Sequence, residues 1–136
     1  MLRTNGARRV VEEPGATAER TILIVEDSEP IRRILTLLLE GHGYQVVAVD
    51  RGEAGLALAQ EQHPQAITLD LSLPDMDGRA LLRELKLDAR TCTIPIIVIS
   101  AYASTLSAAE RACAAEVLSK PFDVDELLTR VARVVG

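Results

Sequence analysis

Three carboxylates, a hydroxyl and an amine stand where the apolar runs of this chain stop. Thr21-Ile22-Leu23-Ile24-Val25 ends on Glu26-Asp27. Ala66-Ile67-Thr68-Leu69 ends on Asp70, and Leu71-Ser72-Leu73-Pro74-Asp75-Met76-Asp77-Gly78 follows. Ile96-Ile97-Val98-Ile99 ends on Ser100, and Val117-Leu118-Ser119 on Lys120-Pro121. That set is what a magnesium-assisted phosphoryl transfer to an aspartate needs. Magnesium takes hard oxygen ligands and keeps several waters; Asp27 and Asp70, helped by Glu26, can supply such oxygens. Clustered carboxylates without a cation raise one another's pKa. A metal and Lys120 would relieve that and keep Asp70 ionised as a nucleophile. Lys120 would neutralise phosphoryl oxygens, and the Ser100 hydroxyl and the Ala101 backbone amide would donate hydrogen bonds to them. In a chain that otherwise prefers arginine, a lysine at position 120 points to a need for a compact ammonium.

Strand-like and helix-like segments alternate from Thr21 onward. Ser28 can cap a helix that tolerates Pro30 in its first turn. Ile31, Ile34, Leu35 and Leu38 make one apolar helical stripe, which Gly41 and Gly43 end. Val46 to Val49 reads as a second strand. Asp50 and Glu53 have capping-box spacing for a helix reaching about Gln62. A third strand covers Ala66–Leu69, a third helix Gly78–Leu87 with Leu81, Leu82 and Leu85 apolar, and a fourth strand Ile96–Ile99. Between Ser100 and Val117 only Tyr102 and Leu106 are large, so a helix there would bury little area and be the least anchored element. After a fifth strand at Val117–Ser119, Asp123 and Glu126 repeat the capping box. Val124, Leu127, Leu128, Val131 and Val135 form the last stripe.

Five uninterrupted apolar strands alternating with five amphipathic helices predict an α/β fold, a parallel sheet covered on both faces. Ligands in such sheets sit outside the carboxyl ends of the strands. Glu26, Asp27, Asp70, Ser100 and Lys120 all stand at those ends.

With 136 residues, 48% of them hydrophobic, the chain can form one domain with a core. The division expected is a flexible N-terminal tail over 1–20 and a folded domain over 21–136. A net charge of −5 speaks against a general nucleic-acid binder. No apolar stretch approaches the ~18 residues of a membrane span. Arg3, Arg8 and Arg9 lack a following apolar segment of signal-peptide type, so the expected compartment is the cytoplasm. Cys92 and Cys113 are not at metal-ligand spacing and are expected to be free thiols used for packing. His42 and His63 are expected at the surface. Asp75-Met76-Asp77-Gly78 with Glu84 partly mimics a calcium loop, but Leu73 stands at the first ligand position.

In order along residues 21–136, four motifs resemble the receiver domain of two-component response regulators, including stand-alone, chemotaxis-regulator-like members. They are Ile22-Leu23-Ile24-Val25-Glu26-Asp27, Leu69-Asp70 through Asp77-Gly78, Ile97-Val98-Ile99-Ser100-Ala101, and Ser119-Lys120-Pro121-Phe122. Each is weak alone; together at this spacing they are specific. The resemblance implies a flavodoxin-like, doubly wound sheet of order 2-1-3-4-5. It implies a phosphorelay role in which Asp70 takes a phosphoryl group, with Mg2+, from a phosphohistidine on a sensor histidine kinase or a histidine phosphotransfer protein. The phosphorylated domain then signals to a downstream protein through the face of the fourth helix, fifth strand and fifth helix. It assigns Ser72 as a main-chain carbonyl ligand of magnesium beside Glu26, Asp27 and Asp70. The last stripe closes just before Gly136, so output is expected through protein contact, not through an attached domain. Val117 departs from the family, which usually has Tyr or Phe there as half of its switch; Cys113 stands where Gly is frequent. Two rival readings follow. An aspartate-nucleophile phosphatase would carry a second aspartate where this chain has Ser72. A degenerate receiver would bind partners without being phosphorylated, and Val117 favours that.

Overall fold

The computed structural model describes residues 20–135. Five strands, β1 (Thr21–Val25), β2 (Gln45–Val49), β3 (Ala66–Leu69), β4 (Ile96–Ser100) and β5 (Glu116–Ser119), form one parallel sheet in the order 2-1-3-4-5. Five helices connect and follow them: α1 (Glu29–Gly41), α2 (Gly52–Gln62), α3 (Gly78–Leu87), α4 (Ala108–Ala112) and α5 (Val124–Val135). The residue pattern predicts this parallel sheet covered on both faces, and the resemblance to receiver domains implies its doubly wound, flavodoxin-like order. The central strands β3 and β4 are buried along their whole length, as strands covered on both faces must be. On one face Leu23, Ile67, Leu69 and Val98 pack with Leu81, Leu82 and Leu85 of α3 and Ala59 of α2. On the other, Ile22, Ile24, Ile97 and Ile99 pack with Leu35 and Leu39 of α1 and Leu127 and Val131 of α5.

Most helix boundaries fall where sequence places them, but two of the expected stripes each lose one residue to solvent. In α1, Leu35 and Leu39 are buried, whereas Ile34 is 49% exposed and belongs to the outer face with Leu37. The apolar content of α1 wraps too widely for one stripe, and burial selects Leu35 and Leu39, flanked by Ile31 and Leu38. In α5, Val124 is likewise exposed, at the mouth of the helix ahead of the buried Leu127 and Val131.

Caps differ more. The Ser28 hydroxyl accepts from the Ile31 N–H at 3.4 Å, as expected for α1. For α2 the expected Asp50–Glu53 box is absent: the helix starts one residue later, on Arg51, whose side chain makes no capping bond. The free N–H groups of Gly52 and Glu53 instead donate to Asp75, at 2.8 and 2.9 Å. Before α5 the Asp123 carboxylate accepts from the Glu126 N–H, but the Glu126 side chain pairs with Arg130, so only half the box forms.

The segment after β4 is sparsely buried, as its composition requires. A single 3-10 turn (Ala103–Thr105) leads to the five-residue α4, none of whose residues is buried. A Ser107–Glu110 capping box closes its start. Its ties to α3 are polar: Arg83 to Glu110 at 2.7 Å, and Arg79 to the Thr105 hydroxyl of the preceding turn.

Both cysteines are free thiols. Cys113 packs against the core, but Cys92 is exposed and does not pack as expected, because it lies in the loop beyond the C-terminus of α3. His42 and His63 are exposed. The expected tail lies outside the described residues except Arg20, whose guanidinium sits 4.7 Å from the Tyr44 ring and donates to Gly43 O. Among the described residues no helix is long and apolar enough to cross a membrane.

Candidate functional site

Register brings the polar strand ends together. Val25 is aligned with Leu69, Leu69 with Val98, and Ser100 with Ser119, so the residues that follow share one sheet edge. Asp70 N–H continues the ladder by donating to Val25 O at 3.0 Å. The chain then turns at Gly78, whose N–H donates to Leu71 O at 2.9 Å. A Cβ at Gly78 would lie 2.5 Å from Asp70 O and from Leu71 Cα, so only glycine lets the start of α3 lie this close to the acidic strand end.

Carboxylate oxygens of Glu26, Asp27 and Asp70 all lie within 4.8 Å of one another. Asp70 is 5% exposed and Glu26 2%, while Asp27 is open to solvent. Lys120 reaches in from the end of β5 and its Nζ donates to Glu26 Oε1 at 2.9 Å and to Asp70 Oδ2 at 3.3 Å. Glu26 Oε2 accepts from the Ser28 N–H, and Asp70 Oδ1 from the Ser72 N–H at 3.3 Å. Burial pushes the Glu26 carboxyl above the ordinary carboxylate range; the Lys120 hydrogen bond opposes this and the Asp70 charge adds to it. Burial alone would lower the Lys120 ammonium, but the two carboxylates outweigh it, and its pKa lies above that of an ordinary lysine. Three carboxylates thus face one ammonium. The remaining negative charge, all on hard oxygens, fits a divalent cation of the magnesium type.

Ser100 is fully buried, and its hydroxyl oxygen accepts from the Tyr102 N–H at 3.0 Å. Its carbonyl accepts from the Lys120 N–H at 3.1 Å, which ties the ends of β4 and β5. Ala101 is exposed directly after it. The structure therefore joins Glu26, Asp27, Asp70, Lys120 and the Ser72 amide by direct contact or proximity, and places Ser100 and Ala101 at the neighbouring strand end. Beside them lies a cavity of about 530 Å³ lined by the Leu71–Asp77 loop, Arg79 and Tyr102.

Two contributors carry no local sequence signal. Arg32 of α1 donates to the carbonyls of Glu26, at 2.8 Å, and Asp27, at 3.4 Å, and so backs the acidic turn. Asp75 reads as a turn residue, yet its partners are on α2. Val117, which departs from the family pattern, is half-buried against the core, and its carbonyl accepts from Arg130.

The fold and this edge define a doubly wound α/β domain with an acidic site paired to a lysine, and comparison with known proteins gives its class. The response regulator receiver domain family matches residues 22–132, and the chain belongs to that family. Protein PilH of Pseudomonas aeruginosa is 34% identical over 85% of this chain and 97% of its own. Histidine kinase P4 of Formosa agariphila is 35% identical over 85% of this chain but only 8% of the kinase. The chain spans about half the length of several transcriptional regulators it matches. Among solved structures, the receiver domain of a sensor histidine kinase of P. aeruginosa, which has a magnesium ion coordinated in its active-site cleft, superposes with a TM-score of 0.75. It is 30% identical over 86% of this chain and 98% of the other.

Proposed function

We propose that this domain is a phospho-acceptor switch in which Asp70 takes a phosphoryl group from a phosphohistidine. The observation that carries this reading is the buried Asp70 carboxylate, ion-paired to Lys120 and grouped with Glu26 and Asp27. The donor is a sensor histidine kinase or a histidine phosphotransfer protein. An Asp70 oxygen bonds to phosphorus as the phosphorus–nitrogen bond breaks, and the imidazole leaves with the electron pair and takes a proton from water. Glu26, Asp27, Asp70 and the Ser72 main-chain carbonyl would hold Mg2+. When bound, that ion supplies charge neutralisation at the phosphoryl oxygens. Lys120 trades its bond to Asp70 for one to a phosphoryl oxygen. The Ser100 hydroxyl and the Ala101 N–H donate to the others, which draws the end of β4 toward the acceptor. The change is read by a downstream protein on the face of α4, β5 and α5. A sensor or phosphotransfer donor inside the cell places the domain in the cytoplasm.

Intact mass after incubation with magnesium and acetyl phosphate tests this. The wild type should gain about 80 Da, one phosphoryl group, and Asp70→Asn should gain nothing. Magnesium binding without a mass gain would overturn acceptance and favour the phosphorylation-independent binding module to which Val117 points.

A further inference from the structure

The loop that carries Ser72 is held at both ends and at its tip. Leu71 and Gly78 close its base, and Ser72 pairs with Asp77 in an isolated antiparallel bridge. The Asp77 carboxylate accepts from the Arg79 N–H at 2.9 Å and starts α3. At the tip, Asp75 spans to another element: Oδ1 accepts from Gly52 N–H at 2.8 Å and Oδ2 from Glu53 N–H at 2.9 Å. Met76 lies directly on Gly52, where a Cβ would fall 2.4 Å from its sulfur. Arg51, at the position from which a side chain would ordinarily cap α2, makes no capping bond. The start of α2 is therefore capped from the acceptor loop and by nothing local.

We infer that Asp75 is a positioning residue: by clamping the β3–α3 loop onto the first turn of α2, it fixes the Ser72 peptide and sets the affinity of the acidic site for a divalent cation. This rests on the proposed function. The clamp bears on the two peptide units that meet at the Ser72 Cα. The Ser72 N–H is the donor that holds Asp70 Oδ1, and its carbonyl is the proposed cation ligand. A loop free at its tip lets both rotate. The same two N–H bonds hold the Asp75 carboxyl below the ordinary range, so the clamp is charged throughout the neutral region. Groups that orient metal ligands without touching the metal are worth roughly tenfold or more in affinity.

The test is magnesium affinity by calorimetry, together with the rate of mass gain from acetyl phosphate as magnesium is varied. Asp75→Ala should bind magnesium about tenfold more weakly. Its phosphorylation should be slow at low magnesium and return to the wild-type rate at saturation. The double variant Arg51→Ser/Asp75→Ala separates clamp from cap, because serine at position 51 can cap α2 without touching the loop. It should recover the melting temperature and the amide protection of α2 while magnesium stays weakly bound. Recovery of magnesium affinity in the double variant, or wild-type affinity in Asp75→Ala, would reduce Asp75 to a helix cap and overturn the inference. A wild type that neither binds magnesium nor gains mass would instead remove the proposed function, and this inference with it.

Discussion

Two threonines buried to the same degree should respond to the same substitution with opposite signs. Thr68 lies in the middle of β3, 1% exposed, aligned with Ile24 on one side and Ile97 on the other, and its hydroxyl has no hydrogen-bond partner among the described residues. Thr91 is fully buried after α3, and its hydroxyl donates to Leu85 O at 2.6 Å. That carbonyl is among the last four of α3, which the helix itself leaves without an N–H. Replacing Thr68 by Val removes a desolvated polar group that gains nothing in return and puts a methyl in nearly the same volume. An unsatisfied buried hydroxyl costs roughly 1–3 kcal/mol, so Thr68→Val should stabilise the domain by about 1 kcal/mol after the imperfect fit of the new methyl. Thr91→Val forfeits a short bond and strands the Leu85 carbonyl, for a loss of about 2 kcal/mol. For a domain of this size each kcal/mol moves the melting temperature by about 4 °C. Urea unfolding should show the two midpoints moving apart on either side of the wild type at unchanged m. If Thr68→Val destabilises, the hydroxyl holds a buried water and the reasoning from an orphaned donor fails. If both variants shift the same way, side-chain volume and not hydrogen bonding governs these positions.

Gly78→Ala forces a methyl to within 2.5 Å of the Asp70 carbonyl and the Leu71 Cα, both backbone. It should cost about 3 kcal/mol and abolish the mass gain at Asp70, because relief requires moving the strand end itself; urea unfolding and intact mass check the two effects. Lys120→Met leaves Glu26 and Asp70 buried without their cation and should cost about 3 kcal/mol near pH 8. That cost should shrink toward pH 5. The Glu26 carboxyl is already held above its ordinary pKa by burial, and losing the ammonium raises it further. A carboxylate whose folded pKa is raised contributes stability at low pH and loses it as pH rises through the folded value. Denaturation midpoints for variant and wild type at the two pH values test the sign; a gap that widens in acid contradicts it.

Residues that follow a strand could be placed from sequence, because parallel alternation with helices sends every strand end to one edge. Glu26, Asp27, Asp70 and Lys120 converge for that reason alone, and the resemblance to receivers added roles to positions the topology had already gathered. The same logic carried the parallel sheet and the core of β3 and β4, whereas the strand order came from the resemblance. It did not carry choices made by partners distant in the chain. Asp50 has the right spacing to cap α2. Yet Asp75, more than twenty residues later, takes those N–H groups because the β3–α3 loop folds back over the start of α2 and Gly52 leaves it room. Ile34 and Leu35 are adjacent and equally apolar; only the direction in which α1 lies on the sheet buries one and exposes the other. Local pattern therefore fixes which groups reach the site. How tightly the site is held depends on loop-to-helix bonds such as the Asp75 clamp, which sequence spacing does not register. The consequence for this family is physical: domains with the same acidic cluster and lysine should differ in cation affinity according to what anchors the loop after the acceptor aspartate.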